Sequence, residues 1–398
     1  MNVLFLTAYP PVLGTHGGGV RMYHNLRILS RVHDVHLISL VENDDERRQV
    51  EAVAPFCRSI ETVFRRPRAA PRFGLSPGRA CMFDVPELDR AIAERRSRSP
   101  IDVLQCEHVE MAQYHQPDLW TIWTVTEPLA PEARRQFRAD RDPLAKVRDY
   151  ADWMAMLRYE TRYARRFDRV VALTPTDADY LRSYTPDAAV RVVPVGVDTG
   201  FYQPQEARDG PLRAVFLGNY RHLPNLEAVR FLVDEVVAAF PEIRFEVAGA
   251  GLPDGMLAGS RAVALGHVAD TRALYSRPHT IVTAPLFSGF GQRVKLLEAF
   301  AMGMPVVTTS RGAAGFPIRH GVEALVAETP EEFRAAIRAL RESPRLREDM
   351  GMQARRMVED HFGWDALAPL FLELVESGCP PPGGPTRVVP RVVSRVVD

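Results

Sequence analysis

Short, almost uninterrupted apolar runs alternate with longer amphipathic segments along most of the chain. In the first half, these runs occupy residues 3–7, 35–40, 101–106, 121–125, 169–173 and 190–195. Strands covered by helices on both faces have this composition, whereas strands with one solvated face alternate apolar and polar residues. The pattern therefore predicts an α/β fold built on doubly wound parallel sheets.

The same alternation restarts after a polar segment, PVGVDTGFYQPQEARDGP, at residues 194–211. Further strands are predicted at 214–217, 243–248, 279–284 and 306–309, and helices at 225–239, 293–302, 330–341 and 344–359. A length of 398 residues exceeds one ordinary core and fits two. We expect a first domain at 1–195, a linker at 196–211 and a second domain at 212–360.

The last residues, 378–398, have a different composition, with Arg-Val-Val recurring every four residues. This low-complexity tail is interpreted as a solvated extension, with binding of a partner or of lipid as the alternative. Arg65, Arg66, Arg68 and Arg72 lie in an irregular region and are candidates for peripheral membrane contact, although a solvated loop is the simpler interpretation.

Basic and acidic residues number 50 each, so no net charge recruits nucleic acid, and we expect no nucleic-acid partner. No segment approaches the roughly 20 apolar residues that span a bilayer, and the amino terminus lacks a basic leader. We therefore expect a cytoplasmic protein, with a peripheral position at the inner face of the membrane as the alternative.

The richest signal is APLFSGFGQRVKLLEAFAMGMPVVTT, at residues 284–309. A buried strand is followed by a loop that opens into a helix; the loop contains Ser288, Gly289, Phe290, Gly291 and Gln292. Glycines let the backbone approach a ligand, and the free N–H groups of a first helical turn favour an anion such as phosphate. Cations are usually unfavourable at a helix amino terminus, so Arg293 and Lys295 point to a bound anion.

Glu298 lies three residues after Lys295 and therefore on the same side of the predicted helix. A carboxylate there is able to accept two hydrogen bonds from the diol of a ribose. The alternative is an exposed ion pair between Lys295 and Glu298, with no role in binding.

This segment resembles the donor-site signature of retaining glycosyltransferases with the GT-B fold, in particular glycosyltransferase family 4. It is most similar to a branch that reads Gly-x-Gly-x-Arg-x-Lys-x-Leu-Glu-Ala, which residues 289–299 match. Ser288 stands where the broader family has a Glu associated with the donor sugar, and the spacing to Glu298 is two residues longer. The resemblance implies a GT-B fold of two facing Rossmann-like domains, with helix 361–377 returning to the first domain.

The resemblance also assigns donor-binding residues outside this segment. In GNYRHLPN, Gly218 is expected to face the ligand and Arg221 to reach the diphosphate. His267 falls where the family holds the nucleobase through backbone groups, although a lone histidine there is often structural. In HGGGVR, Gly18 and Gly19 resemble a loop that closes over the donor phosphates.

Glu107 and His108 follow another predicted strand and are candidates for orienting the acceptor or handling its proton. A helix-capping or solvated pair is the equally simple alternative. The sequence does not distinguish among a small molecule, a lipid-linked sugar and a glycan as the acceptor.

A metal is not indicated by the sequence. The single Asp-x-Asp motif, Asp177-Ala178-Asp179, lies at a predicted helix start, where capping explains it. The four cysteines show no CxxC spacing. We therefore expect metal-independent transfer from a nucleotide-diphosphate sugar, with the retention that the resemblance implies and without a cofactor. A catalytically silent homologue that binds nucleotide or sugar phosphate as a partner subunit is the alternative.

Overall fold

The structure, a computed structural model, describes residues 1–13, 17–66, 77–205, 210–276 and 279–378. Most of the predicted Arg-Val-Val tail, together with Arg68 and Arg72, lies outside the described residues. The chain divides into two compact units. The first comprises residues 1–171, 181–191 and the segment from 369, and the second comprises residues 172–180 and 192–368.

This division differs in detail from the predicted domains. Residues 192–195 and the short segment 172–180 belong to the second unit, and the return to the first unit begins at Pro369 rather than at 361. Part of the predicted linker is packed within the second unit, because Val197 forms a parallel bridge with Gly363 and a side chain at Gly196 would collide with Trp364.

The first unit contains a seven-stranded sheet in the order β3-β2-β1-β4-β5-β6-β7. Its strands are β1 (Asn2–Thr7), β2 (Asp34–Val41), β3 (Ser59–Phe64), β4 (Val103–Glu107), β5 (Trp120–Val125), β6 (Arg169–Ala172) and β7 (Val190–Val192). The pairings from β3 through β5 are parallel. Strand β3 was not predicted, since its residues are only half-buried and lack a continuous apolar run.

Helices connect these strands. They are α1 (Gly17–Leu29), α2 (Asp44–Val50), α3 (Gly78–Cys81), α4 (Pro86–Arg98), α5 (Ala130–Ala139), α6 (Pro143–Ala164) and α7 (Pro175–Tyr184). Gly18 and Gly19 lie in the first turn of α1, whereas the resemblance placed them in a loop. Glycine is a weak helix former, and this hid the true start of the helix in the sequence.

The second unit has a six-stranded parallel sheet in the order β10-β9-β8-β11-β12-β13. Its strands are β8 (Arg213–Leu217), β9 (Arg244–Ala248), β10 (Val263–Gly266), β11 (Thr280–Ala284), β12 (Val306–Thr308) and β13 (Leu325–Val326). In both units the order reverses beside the first strand, which is the doubly wound arrangement predicted from the apolar runs.

The helices of the second unit cover its sheet. They are α8 (Leu223–Phe231), α9 (Thr271–Tyr275), α10 (Val294–Ala301), α11 (Ser310–Ala313), α12 (Pro330–Glu342), α13 (Pro344–His361) and α14 (Trp364–Glu376), the last of which continues into the first unit. Helix α8 is extended to Ala239 by a π turn and a 3₁₀ turn. A Thr329 capping box fixes the start of α12.

Helix α13 packs unusually closely on the end of α10. A side chain at Gly351 would collide with the carbonyl oxygen of Gly303, and its Cβ would lie 3.0 Å from the carbonyl carbon. Gly303 itself has a φ of 68°, a left-handed conformation that favours glycine. The missing side chain at Gly351 therefore sets how closely the helix approaches the segment that follows the candidate site.

We predict that Gly351→Ala lowers the free energy of unfolding by about 1–3 kcal/mol, because the backbone must shift to relieve the collision. This is the net loss that remains after the roughly 1 kcal/mol by which alanine favours a helix over glycine. Urea unfolding followed by circular dichroism measures it, with Met352→Ala, at an exposed neighbouring position, as the control. A Gly351→Ala protein as stable as the wild type would mean that the close approach is not required.

Candidate functional site

The candidate donor site lies where β8 and β11 end side by side in the second unit. In doubly wound sheets, ligands bind at the carboxyl ends of the strands, at the point where the strand order reverses. Helix α8 follows β8, and the glycine turn, residues 288–291, follows β11 and leads into α10. The fold thus places the two segments singled out from the sequence next to each other.

The glycine turn has a backbone that depends on glycine. Gly289 and Gly291 have φ angles of 90° and 76°, a region that other residues rarely adopt. The Arg293 guanidinium folds back over the turn and donates to the carbonyl oxygens of Ser288 and Phe290, at 3.0 and 2.8 Å. Arg293 therefore holds the shape of the turn and brings positive charge to it.

Lys295 is held in an enclosed position in the first turn of α10. Its Nζ donates to Oδ1 of Asn225 on α8 at 2.5 Å and lies 4.7 Å from the centre of the Phe216 ring. Burial, with a smaller contribution from the neighbouring Arg293 charge, lowers the pKa of Lys295 to about 7. The ammonium group is therefore placed beside a neutral amide and an aromatic face, so its charge is available to a ligand.

Glu298 lies one turn further along α10 and turns to different partners. Its Oε2 accepts a hydrogen bond from Thr271 Oγ1 at 3.0 Å, and the hydroxyl of Tyr202 contacts the same carboxylate. Burial raises the pKa of Glu298, and these hydrogen bonds act in the opposite direction. Lys295 and Glu298 are thus separate parts of the site, and the exposed ion pair considered above does not form between them.

A carboxylate of the protein already accepts a hydrogen bond from an amide of the glycine turn. The Gly291 N–H donates to Oδ1 of Asp177, at 3.4 Å, within the same unit. Thr174 Oγ1 caps α7 by accepting from the Asp177 N–H, so the Asp177 carboxylate does not serve as the cap that the sequence suggested. The amide of Gly291 is therefore directed at a negatively charged oxygen, and the predicted binding of a phosphate there stays untested.

Ser288 donates from its hydroxyl to the carboxylate of Glu227 on α8. Sequence reasoning missed Glu227, as well as Asn225, Thr271 and Tyr202. Asn225 lies in the Pro-Asn dipeptide of the recognised GNYRHLPN segment, and this was the only signal that pointed to any of them.

The remaining predicted turn residues lie further from these polar groups. Gln292 is buried and pairs with the backbone of Val195, accepting from its N–H at 2.6 Å and donating to its carbonyl at 3.3 Å. Phe290 packs against Tyr180 and lies beneath the Arg311 guanidinium. The structure therefore places both side chains in contacts that support the turn, and their predicted roles in donor binding stay untested.

Gly218 and His267 lie on either side of Gly249. A side chain at Gly218 would press on Asn225, at 3.0 Å, and one at Gly249 would collide with the carbonyl of Gly218. Beyond them is a cavity of about 600 Å³ formed by the segment 249–258 together with the end of β10 and His267. Arg221 is exposed beside Gly251 at the edge of this group.

In the first unit, Glu107 ends β4 and is fully buried. Its oxygens accept from Arg21 at 2.5 Å, from Gln105 at 2.6 Å and from Thr124 at 3.2 Å. Gln105 is two residues before Glu107 and so lies on the same face of the strand. The carboxylate is surrounded by protein donors, and the predicted handling of an acceptor proton by Glu107 stays untested.

His108, the next residue, has a φ of 79°, which is rare for a residue with a side chain. Its ring packs edge-on against Tyr9, with centroids 5.2 Å apart, and burial lowers the pKa of His108. Arg79 donates to Glu110 at 2.5 Å close by. Strained backbone of this kind is common at ligand sites, so this end of β1 and β4 is the candidate acceptor region.

His, Cys, Asp and Glu side chains do not form clusters of three or more that could hold a metal ion anywhere in the described ranges. Among the described helices, none combines the length and apolar composition needed to cross a membrane.

Two family models match the chain, one in each half. Residues 15–201 match the model of glycosyltransferase family 4, and residues 211–343 match that of the group 1 glycosyl transferases. Together the two models match most of the chain, and they confirm the predicted resemblance to family 4 (group 1) glycosyltransferases and the predicted glycosyltransferase activity.

Curated relatives are distant in sequence. The chain is 25% identical over 309 residues to MMP alpha-(1->4)-mannosyltransferase of Mycolicibacterium hassiacum, covering 70% of this chain and 71% of that protein. It is 26% identical to D-inositol 3-phosphate glycosyltransferase of Streptomyces griseus, and the match covers 52% of this chain and 53% of that enzyme. The chain thus spans about half the length of the inositol-phosphate enzyme.

Solved structures share the fold across almost the whole chain. Sucrose-phosphate synthase of Thermosynechococcus elongatus superposes with a TM-score of 0.71 at 15% identity, covering 95% of this chain and 99% of that one. HepE of Anabaena, solved in complex with UDP-glucose, superposes with a TM-score of 0.68 at 14% identity, covering 95% and 100%.

We predict that Glu107→Ala lowers the free energy of unfolding by about 3–5 kcal/mol, because it leaves the buried Arg21 charge without its acid. Replacing the pair together, as Arg21→Met/Glu107→Leu, should restore most of this loss. Urea unfolding measures the stability, with Glu373→Ala at an exposed position as the control. Near wild-type stability of the single variant would contradict the structural role of the pair.

We predict that nucleoside diphosphate binding weakens as the pH rises above 7. Lys295 is charged below its lowered pKa and neutral above it, and a bound anion favours the charged form. Above pH 7, where the terminal phosphate of the ligand is already ionised, the dissociation constant should rise by up to about tenfold per pH unit. Isothermal titration between pH 6 and 9 measures it, and Lys295→Met should abolish this dependence. An unchanged profile in Lys295→Met would show that another group titrates.

Proposed function

We propose that the protein transfers a sugar from a nucleotide-diphosphate sugar to a hydroxyl acceptor with retention of the anomeric configuration, without requiring a metal ion. One observation carries this proposal: an amide of the glycine turn is directed at a carboxylate oxygen, with Arg293 and Lys295 in the same segment. Hydrogen-bond donors and cations that are already directed at one anion suit the diphosphate, because negative charge develops on it as it leaves during transfer.

Different residues of the second unit bind the different parts of the nucleotide-sugar donor. Arg293, Lys295 and the Gly291 amide bind the diphosphate, which requires that Asp177 give up its hydrogen bond to that amide. Glu298, oriented by Thr271, accepts hydrogen bonds from the ribose hydroxyls. The cavity beside His267 receives the base, which contacts backbone groups there.

Glu227 is proposed to bind hydroxyls of the donor sugar. A carboxylate beside a phosphate site repels the phosphate itself, whereas sugar hydroxyls are good donors to it. Ser288 holds this carboxylate against the glycine turn, and Pro224 on the same helix approaches Gly289. The carboxylate of Glu227 thus lies beside the turn where the sugar joins the diphosphate.

In the transfer step, the bond between the anomeric carbon and the phosphate oxygen breaks, and its electron pair remains on the phosphate. The acceptor hydroxyl forms the new bond to the anomeric carbon, and its proton passes to the departing phosphate oxygen. The positive charges on Arg293 and Lys295 stabilise the negative charge that develops on that oxygen. This route needs no strong base, which accords with a Glu107 carboxylate that is already surrounded by donors.

Retention and metal independence rest on the family pattern at residues 289–299 and on the two cations. The acceptor is proposed to bind the first unit, near His108 and Tyr9, where the backbone is strained. The relatives named for mannosyl transfer and for inositol 3-phosphate favour a polar, hydroxyl-rich acceptor such as a sugar or polyol.

A second candidate is a catalytically silent homologue that binds nucleotide or sugar phosphate as a partner subunit. The replacement of the expected Glu by Ser288 favours it, because that residue is associated with the donor sugar in the wider family. Release of nucleoside diphosphate from a panel of nucleotide sugars separates the two. Stabilisation by nucleotide in a thermal-shift panel without any turnover would favour the silent homologue.

We predict that Lys295→Met and Glu298→Gln reduce turnover at least about 100-fold, because each removes a directed interaction with the donor. Glu227→Gln should reduce turnover while leaving nucleoside diphosphate affinity near that of the wild type. Nucleotide release and isothermal titration measure both effects in a chelator-containing buffer.

Matched controls are Lys146→Met and Glu242→Gln, at exposed positions away from these residues. Wild-type turnover in both Lys295→Met and Glu298→Gln would refute the donor-site assignment. Equal loss of nucleotide affinity and turnover in Glu227→Gln would place that residue at the diphosphate rather than at the sugar.

A further inference from the structure

A stripe of large apolar side chains faces solvent on helix α6. Leu144 is 82% exposed, Val147 69%, Tyr150 48% and Met154 40%. Residues with these spacings lie along one side of a helix. Exposed apolar residues are ordinarily scattered singly, whereas a contiguous stripe marks an interaction surface.

Leu144 and Val147 are not needed to hold the helix in place, whereas Tyr150 also packs on Phe137 of α5, with ring centroids 5.4 Å apart. The opposite side of α6 supplies buried residues, including Met156 and Tyr159. Helices α5 and α6 pack on each other through Phe137 and Trp153, whose rings stack with centroids 5.8 Å apart. Glu160 anchors the base of the pair by accepting from the N–H of Leu129, at 2.5 Å, just before α5 begins.

Cations surround the stripe. By helical geometry, Lys146 and Arg148 flank it on its two sides, and Arg134, Arg138 and Arg141 are exposed on α5 and in the connection. Residues 130–158 contain seven Arg and Lys and five Asp and Glu.

Most acidic side chains of this segment form hydrogen bonds or ion pairs within it. Asp140 and Asp142 accept from backbone N–H groups at the connection between the helices, and Glu132 and Asp149 pair with Arg135 and Arg148. The exposed face is therefore apolar along its centre, and the seven basic residues against five acidic ones leave an excess of two positive charges around it.

We propose that this surface, formed by α5 and α6 and here called the α5–α6 face, docks the protein on an anionic lipid surface. Leu144 and Val147 enter the boundary between headgroups and acyl chains. Lys146, Arg138 and Arg141 contact lipid phosphates. An apolar stripe bordered by Lys and Arg is the composition of helices that lie in a membrane interface. Anionic lipids add about 1 kcal/mol for each basic residue near the surface.

A second copy of the chain fits this surface less well. In a symmetric pair, each patch meets the same patch on its partner, so the cations at the edges would face one another. Like charges brought together across an interface are unfavourable. The inference does not depend on the donor chemistry, and it differs from contact through Arg65, because Arg65 pairs with Glu42 and lies 4.3 Å from the centre of the Phe83 ring.

The test is co-sedimentation of the full chain with vesicles of phosphatidylcholine, with and without phosphatidylglycerol. We expect binding to the anionic vesicles that weakens with added salt. Leu144→Asp/Val147→Asp should lower the partition coefficient at least about tenfold, because both apolar contacts are lost. Arg138→Glu/Arg141→Glu should do the same on anionic vesicles.

Met352→Asp, which removes a 52% exposed apolar side chain from the other unit, is the matched control and should bind vesicles like the wild type. Nucleoside diphosphate thermal shifts should be unchanged in every variant, so failure of lipid binding stays distinct from failure of the donor site. Equal binding to neutral vesicles, no binding to anionic ones, or full binding by Leu144→Asp/Val147→Asp would overturn the proposal. So would a wild-type dimer in light scattering that this double variant dissociates.

Discussion

The hydrogen bond from Lys295 to Asn225 is the interaction on which the candidate site depends. It joins the first turns of α8 and α10, which the strand order brings together at the ends of β8 and β11. Its partner is a neutral amide, and the aromatic face of Phe216 lies on the other side. Burial lowers the pKa of Lys295, which means that the charged form of its amine is destabilised in the unliganded site. A bound anion would stabilise that charged form.

The two units use buried charge in different ways. In the first unit, Arg21 is paired with Glu107, and further donors complete the shell around the carboxylate. Such a pair contributes little net stability, yet removal of one member strongly destabilises the protein because the other charge stays buried without a partner. In the second unit, Arg293 and Lys295 hold backbone carbonyls and an amide. A fully paired charge suits a structural role, and the Lys295 ammonium beside a neutral amide suits recognition of a phosphate.

Much of the fold followed from the apolar runs, because strands buried on both faces leave a strong signal. Strand β3 lacked that signal, and the glycines at the start of α1 concealed the first turn of that helix. The predicted importance of Gly289, Gly291, Arg293, Lys295 and Glu298 came from glycine and charge at a helix start. Glu227 and Thr271 carried no such signal, since they reach the site from helices distant in sequence.

The sequence by itself determined the class of fold, the resemblance to a family and the segment of the candidate anion site, because periodicity, glycine positions and local charge act over a few residues. Only the tertiary structure decided which partners these residues take. It separated Lys295 from Glu298, placed Asp177 on the Gly291 amide and buried Glu107 against Arg21. These pairings depend on which helices and strands meet in space, and no local pattern contains that information.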